Sequence, residues 1–280
     1  MSLLPAFASV VGMGRGDLDI ADSGSLRAAL ESVQPQVIVN AAAYNEVDRA
    51  ETDEDAATAV NGRAVEVLGE EAARRRALLV HYSTDFVFDG TATRPYVETD
   101  EPRPLGAYGR SKLAGERALL ESDAPAIVFR TAWIYGLRGK SFVRTILRAA
   151  RERPVLRVVD DQIGCPTAAR DLAAATALLL YGARLDPFAL ASARGVYHLA
   201  GAGHTSRFEL AQAALELDPR KGEHRAREVV PIPSSELSQP ARRPAFAPLN
   251  CRKARERFGL ELMPWRDSLA HVLRDLEPRP

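Results

Sequence analysis

The sequence predicts an α/β fold: a doubly wound, mostly parallel sheet with a smaller lobe supplied by the C-terminal part. Short apolar runs alternate with longer helical patterns through most of the chain, as βαβ units with right-handed crossovers require. The runs are near-continuous, as in Leu78-Leu79-Val80-His81-Tyr82, which is how strands covered on both faces read. At 280 residues and 46% apolar content, the chain can build one large domain, or a domain with a smaller lobe, around a sizeable core.

The elements follow in order. Gln36 to Asn40 is a short strand. Asp55 to Arg76 reads as one helix, with Val60, Ala64, Val67, Leu68 and Ala72 at helical spacing. Leu78 to Tyr82 is the next strand, Tyr108 to Glu121 a helix, Ala126 to Arg130 a strand, Ser141 to Arg151 a helix and Val155 to Val159 a strand. Ala169 to Tyr181 is an Ala/Leu-rich helix, Gly195 to Leu199 a strand and Ser206 to Leu217 a helix. From Pro219 to Pro248 the chain turns rich in Pro, Arg and Glu and loses long periodic segments; helices return at Arg252 to Phe258 and Trp265 to Leu276.

Charge and composition exclude several classes. Lys plus Arg and Asp plus Glu are 37 each, so no net field favours nucleic acid or a membrane surface. Arg74-Arg75-Arg76 reads as the solvated end of a helix, where cations suit the dipole. Two cysteines, Cys165 and Cys251, make no disulfide framework. The apolar N-terminal stretch is short, lacks a basic leader and contains Pro5, and no run reaches the ~20 apolar residues of a membrane span. A cytoplasmic protein is expected.

Chemistry concentrates in two segments. Ser83-Thr84-Asp85 closes an apolar strand, and Tyr108-Gly109-Arg110-Ser111-Lys112 opens a helix after a Pro/Gly-rich loop from Asp89 to Gly106. Ligands of open α/β sheets bind at the carboxyl ends of the strands. Reducing a carbonyl with a nicotinamide requires a proton on oxygen, and a free tyrosine, with a pKa of about 10, is poorly matched to neutral pH. Positions i and i+4 share a helix face, so an ammonium at Lys112 could favour the phenolate of Tyr108. Thr84 or Ser83 would hold the substrate oxygen; strand alternation lets only one of them face the cleft.

These blocks resemble the dTDP-4-dehydrorhamnose reductase family of extended short-chain dehydrogenases. His81 to Gly90 is similar to its STDYVFDG block, and Val39-Asn40-Ala41-Ala42-Ala43-Tyr44 with Val47-Asp48-Arg49-Ala50-Glu51 to NAAAYTAVDKAE. Pro104 to Gly109 resembles PLNVYG, Arg130 to Gly136 RTSWVYG, and Asp160 to Thr167 DQFGSPT; Arg243-Pro244 and Trp265-Arg266 match C-terminal blocks. The resemblance implies a Rossmann-like fold and NAD(P)H-dependent reduction of the 4-keto group of dTDP-4-dehydro-6-deoxy-L-mannose to dTDP-L-rhamnose. It implies Tyr108 as proton donor, Lys112 as its partner and Thr84 as the tuning hydroxyl. Asp19, Ile20, Ala41, Ala42, Ala43, Ser83, Tyr108 and Lys112 would contact NADPH or NADH. Thr84, Asp85, Trp133 and Arg243 would border the sugar nucleotide. Residues 1–167 would be mainly the dinucleotide-binding core, and residues 168–280 the remaining elements and the substrate lobe, interleaved with it. Phe86 stands where the family usually has tyrosine, and Cys165 where it commonly has serine. Some members bind magnesium between subunits; a homodimer is one assembly the sequence leaves open, and no metal is assigned from it.

The front departs from this pattern. The family opens with a strand, a Gly-x-x-Gly-x-x-Gly turn and a helix, which bring the backbone to the diphosphate. Here Met1 to Gly12 looks like the tail of a first helix and the next strand, and Gly12, Gly14 and Gly16 lack that context. Three readings stay open: a start called late or a truncated gene copy, a non-catalytic relative that uses the fold for binding, or an enzyme that rebuilds the phosphate site. Arg15 would suit a 2′-phosphate and favours NADPH.

Other polar groups have plainer readings. His81 and His198 sit in strands and are expected to be packed or hydrogen-bonded. Asn61 could be polar packing or a relay group. Arg242-Arg243 reads equally as a diphosphate contact, through the guanidinium fork, and as a solvated loop. Trp133 could stack on sugar or base, or could be a core tryptophan. A reductase of another nucleotide-linked keto-sugar is a further alternative, which Phe86 would permit.

Overall fold

A computed structural model describes residues 7–136, 138–183 and 187–275. Its centre is a four-stranded parallel sheet of β1 (Val37–Asn40), β2 (Leu78–Thr84), β3 (Ala126–Thr131) and β8 (Gly195–His198), in that spatial order. The register sets Val39 beside Val80, Val80 beside Ile127 and Val128 beside Val196. β1 and β8 are the sheet's edges.

Successive side chains point to opposite faces, and both faces are covered. Leu79 and Val128 pack with Leu26 and Leu30 of α1 (Ser23–Val33) and with Val65 and Leu68 of α4 (Ala64–Arg75). Leu119 of α5 (Ala107–Glu121) closes the same face. Leu78, Val80, Ile127 and Phe129 meet Leu172 and Leu179 of α7 (Ala169–Gly182), together with Ala254 of α9 (Arg252–Phe258) and Leu260. A second layer stands at the carboxyl ends. There α6 (Phe142–Glu152), α8 (Arg207–Leu217) and α10 (Trp265–Arg274) bury Val143, Leu147, Leu210, Leu269 and Val272 together. These helices come from segments on both sides of Thr167.

Four expectations differ. Asp55 to Arg76 is not one helix: α3 (Glu54–Thr58) passes through a wide π turn at Ala59–Arg63 into α4. The extra residue turns Asn61 inward, where it is 1% exposed and fully hydrogen-bonded. No strand forms at Val10-Val11, which stay 45% and 59% exposed; among the described residues no strand pairs with them. Arg75 is not solvated: its side chain is 6% exposed and ion-paired with Glu71, which also binds Arg27 and Arg74 and so clamps α1 to α4. The Pro-rich stretch hides a strand, Glu228–Ile232, parallel to Val155–Val159 in a sheet of their own. Pro231 and the short run mask it in the sequence. The expected helix end at Leu276 lies outside the described residues.

Candidate active site

Three devices set the chemistry-bearing helix α5 against the end of β2. Gly109 lies so close to the Phe86 carbonyl that a Cβ there would sit 2.3 Å from its oxygen. Gly115 meets the Asn61 carbonyl in the same way, at 2.2 Å. Glu51, just past α2 (Val47–Ala50), accepts the Ala107 N–H at 2.8 Å and places a carboxylate at the positive end of α5.

Thr84 ends β2. Its Oγ1 accepts the Phe86 N–H at 3.2 Å, capping the short turn at Asp85–Val87, and donates to Asp85 Oδ1 at 3.1 Å. The same side chain stands beside the Tyr108 phenol, whose pKa it lowers. The Phe86 ring meets Tyr108 edge-on, with centroids 5.6 Å apart. Thr84, Asp85 and Tyr108 are thus neighbours at the end of β2, while Lys112, one turn along α5, turns its Nζ to the Tyr82 carbonyl and His81. Ser83 also lies at this strand end, but its Oγ is buried without a partner, as are Asp85 Oδ2 and Thr131 Oγ1.

The electrostatics differ from expectation. Tyr108 is not lowered by Lys112: burial pushes the phenol up to about 12, and the neighbouring Thr84 side chain only partly offsets this. Lys112 is 2% exposed, and its Nζ donates to the Tyr82 carbonyl at 2.6 Å. Burial holds it down at about 8, against the opposing pull of Glu116. Tyr108 therefore keeps its proton at neutral pH, which suits a donor. Burial raises Asp85 to about 7, with Thr84 and Arg207 opposing.

A buried chain runs behind Lys112. Asn40 Oδ1 accepts the Ala42 N–H at 3.1 Å, so its Nδ2 donates to His81 Nδ1, 3.1 Å away. A neutral imidazole then carries its proton on Nε2, facing Lys112 Nζ at 3.4 Å. That donor favours the neutral amine. His81 is neutral because burial, and then Lys112, hold its pKa well below the usual range.

The expected cofactor contacts are spread more widely. Ala41 and Ala42 are exposed and Ala43 half-buried beyond the carboxyl end of β1. They are tied through Asn40 and His81 to Lys112. This open floor, with the unpartnered Ser83 hydroxyl, fits the nicotinamide nucleoside half of a dinucleotide. Asn61 braces it by accepting from Tyr44 N and donating to Tyr44 O and Ser111 Oγ. Asp19 is exposed and accepts its neighbour Ala21 N–H at 3.0 Å, while Ile20 packs by Leu26 and Ile38. Among the described residues before Ser23 there is no strand, glycine turn and helix to cradle a diphosphate.

On the other side stands Trp133, with a left-handed backbone (φ 45°) that a bulky residue rarely adopts. Gly164 admits its ring: a Cβ there would sit 2.4 Å from it. The ring face carries the Arg207 guanidinium, 3.5 Å from the centroid. Arg243 is engaged by Asp48 through both terminal nitrogens, at 3.1 and 2.9 Å, and by the Ala241 carbonyl at 3.0 Å. Sequence reasoning missed Arg207, Glu51 and Glu116. Of these only Glu116 leaves a signal, as a charge one turn beyond Lys112 on the face of α5 that packs inward.

Comparison with known proteins follows this geometry. The family model described as RmlD substrate binding domain matches residues 3–277. A dTDP-4-dehydrorhamnose reductase of Burkholderia thailandensis is 44% identical over 276 residues, covering 98% of this chain and 93% of that protein. A Streptomyces antibioticus protein described as a probable dTDP-4,6-dihydroxy-2-methyloxan-3-one 4-ketoreductase is 37% identical, over 95% of this chain and 87% of its own. The crystal structure of Bacillus anthracis dTDP-4-dehydrorhamnose reductase in complex with NADP superposes with a TM-score of 0.85 at 29% identity, covering 97% of this chain and 92% of that one. By its strand order, its Thr84–Tyr108–Lys112 cluster and these likenesses, the chain belongs to the RmlD substrate binding domain family, the family of the dTDP-4-dehydrorhamnose reductases.

Proposed function

We propose that Tyr108, Thr84 and Lys112 reduce the 4-keto group of dTDP-4-dehydrorhamnose to give dTDP-L-rhamnose. The observation that carries this is the Thr84 side chain set beside the Tyr108 phenol, which keeps its proton, at the carboxyl end of β2, with Lys112 one turn along α5 and donating to the Tyr82 carbonyl. NADPH or NADH supplies the hydride. Thr84 and Tyr108 hold the carbonyl oxygen between two hydroxyls, and the phenol releases its proton to that oxygen as it becomes an alcohol. Lys112 and the Ala41–Ala43 floor orient the cofactor's ribose end, with Asp19, Ile20 and Ser83 as further contacts. Asp85, Trp133 and Arg243 border the sugar nucleotide. Residues 1–167 serve mainly the dinucleotide and residues 168–280 supply much of the substrate lobe. The enzyme works in the cytoplasm as a homodimer. Among the described residues no helix is long and apolar enough to cross a membrane.

The test is nicotinamide oxidation on adding dTDP-4-dehydrorhamnose, with the product identified by mass and NMR. Turnover abolished in Tyr108→Phe supports the reading; equal turnover in that variant would refute it, and no turnover in the wild type favours a non-catalytic binding protein. A second keto-sugar is favoured by one observation: Phe86 presents a hydrocarbon edge at Tyr108. Comparing kcat/KM for two dTDP-4-keto-sugars decides between them.

A further inference from the structure

Two arginines stand near Asp85 and Trp133, and their surroundings separate their tasks. Arg243 has both terminal nitrogens taken by Asp48, with Ala241 O as a third acceptor. Arg207 has its guanidinium flat on Trp133, 3.5 Å from the ring centroid, with Phe142 4.9 Å away. Among the described residues no side-chain hydrogen bond satisfies it, and the hydrogen bond at this residue is made by its backbone N–H to Gln162 O. The stack fixes the plane of the guanidinium and leaves its rim of N–H donors aimed outward from the ring. Burial depresses its pKa and the facing Asp85 carboxyl partly restores it, with Arg243 adding repulsion. That carboxyl is 1% exposed and has one oxygen without a partner. A guanidinium held in a fixed plane whose donors meet no acceptor in the protein is ready to take an anion that fits the fork.

We infer that Arg207, held on Trp133, is the residue that grips the diphosphate of the sugar nucleotide, and that Arg243 instead pins the C-terminal loop to α2. This rests on the sugar-nucleotide reading given above and deepens it. The Trp133 ring face is covered by Arg207, so Trp133 acts on the ligand through the guanidinium it carries rather than by stacking on sugar or base. A diphosphate offers several oxygens to the fork, a monophosphate fewer, and a nucleoside none.

Phosphate also occurs in the dinucleotide, so the test separates the two sources. Binding of dTDP, dTMP and NADPH is measured by calorimetry with the wild type, Arg207→Met and Arg207→Lys, with thermal midpoints recorded alongside. Loss of charge-assisted hydrogen bonds predicts dTDP affinity roughly 10- to 100-fold weaker in Arg207→Met. The wild-type preference for dTDP over dTMP narrows with it, and NADPH affinity is unchanged. Arg207→Lys keeps part of the dTDP affinity and the fold, and it carries the test should the methionine variant not fold. Undiminished dTDP affinity in a folded variant overturns the inference, as does a loss confined to NADPH. Wild-type protein that turns over the keto-sugar while Arg207→Met binds dTDP normally refutes the Arg207 assignment alone. Wild-type protein that binds no dTDP overturns the sugar-nucleotide reading as well.

Discussion

Replacing Glu116 with Gln isolates the ion pair that anchors the catalytic helix. Arg130 Nε lies 3.0 and 3.1 Å from the two Glu116 oxygens and Nη2 2.6 Å from one of them, with side-chain exposures of 4% and 1%. The Arg130 guanidinium lies 5.1 Å from the Phe88 ring centroid and leaves Nη1 unpartnered, so no second anion stands ready. Removing one partner of such a pair leaves a buried charge and costs about 3–5 kcal/mol. For a chain of this size each kcal/mol moves the thermal midpoint by about 2–4 °C, so a fall of roughly 6–20 °C is expected. A second effect reaches Lys112, because Glu116 is the group that props its pKa up toward the ordinary value. A lysine depressed in the folded state weakens the fold at low pH, and the loss disappears as pH rises. In Glu116→Gln the extra Lys112 loss is complete at acid pH and gone above about pH 8, where the wild-type lysine is itself neutral. The Arg130 part persists, since a guanidinium stays charged. Melting curves from pH 6 to 9 therefore show a gap between variant and wild type that narrows but does not close. The double variant Glu116→Gln/Arg130→Met removes both charges and recovers most of the loss. A midpoint within 2 °C of the wild type, or a double variant as unstable as the sum of its parts, refutes the reasoning.

Further outcomes follow from the same geometry. Tyr108→Phe lowers kcat by at least 10²-fold, on the order of what a positioned proton donor contributes, with circular dichroism unchanged; retained turnover rejects Tyr108 as the donor. The kcat/KM of reduction falls as pH rises through about 8, because Lys112 loses its charge there; a flat profile to pH 9 rejects a role for the ammonium. Gly109→Ala puts a methyl group 2.3 Å from the Phe86 carbonyl and moves α5 off its seat. More than a tenfold loss of kcat is expected, in keeping with the steep cost of misplacing a reacting group, and steady-state kinetics that match the wild type reject that role for the close approach. Asp48→Ala frees Arg243, but the carboxylate is 42% exposed, so the midpoint drops by no more than a few degrees, reflecting about 1 kcal/mol.

Parallel order and covered faces are legible wherever a run is apolar and unbroken, as at Leu78 to Tyr82 and Ala126 to Arg130. The Thr84–Tyr108–Lys112 set is legible because helix periodicity places i and i+4 together whatever the rest does. The π turn at Ala59–Arg63 is not, because one added residue barely alters an apolar pattern while it redirects Asn61. Nor is the polarity of the site. Whether Lys112 lowers Tyr108 depends on where its Nζ finds an acceptor, and its reach across to the Tyr82 carbonyl is a tertiary contact that spacing along α5 does not set. Arg207 was invisible for the same reason: its stack on Trp133 joins segments that meet only through the lobe. The strand at Glu228–Ile232 escaped notice because its partner, Val155–Val159, is distant in sequence and a proline interrupts the pattern.

The outer edge of β1 has a practical consequence for handling the protein. Among the described residues its pairing is with β2 alone, so a row of amide and carbonyl groups faces outward, with Val39 37% exposed beside it. Such a row is a template onto which another extended chain can add. Concentrated stocks will accumulate edge-joined aggregates at a rate that climbs with protein concentration. A lysine in place of Val39 acts as a gatekeeper there, lengthening shelf life without touching the groups that carry out the reduction.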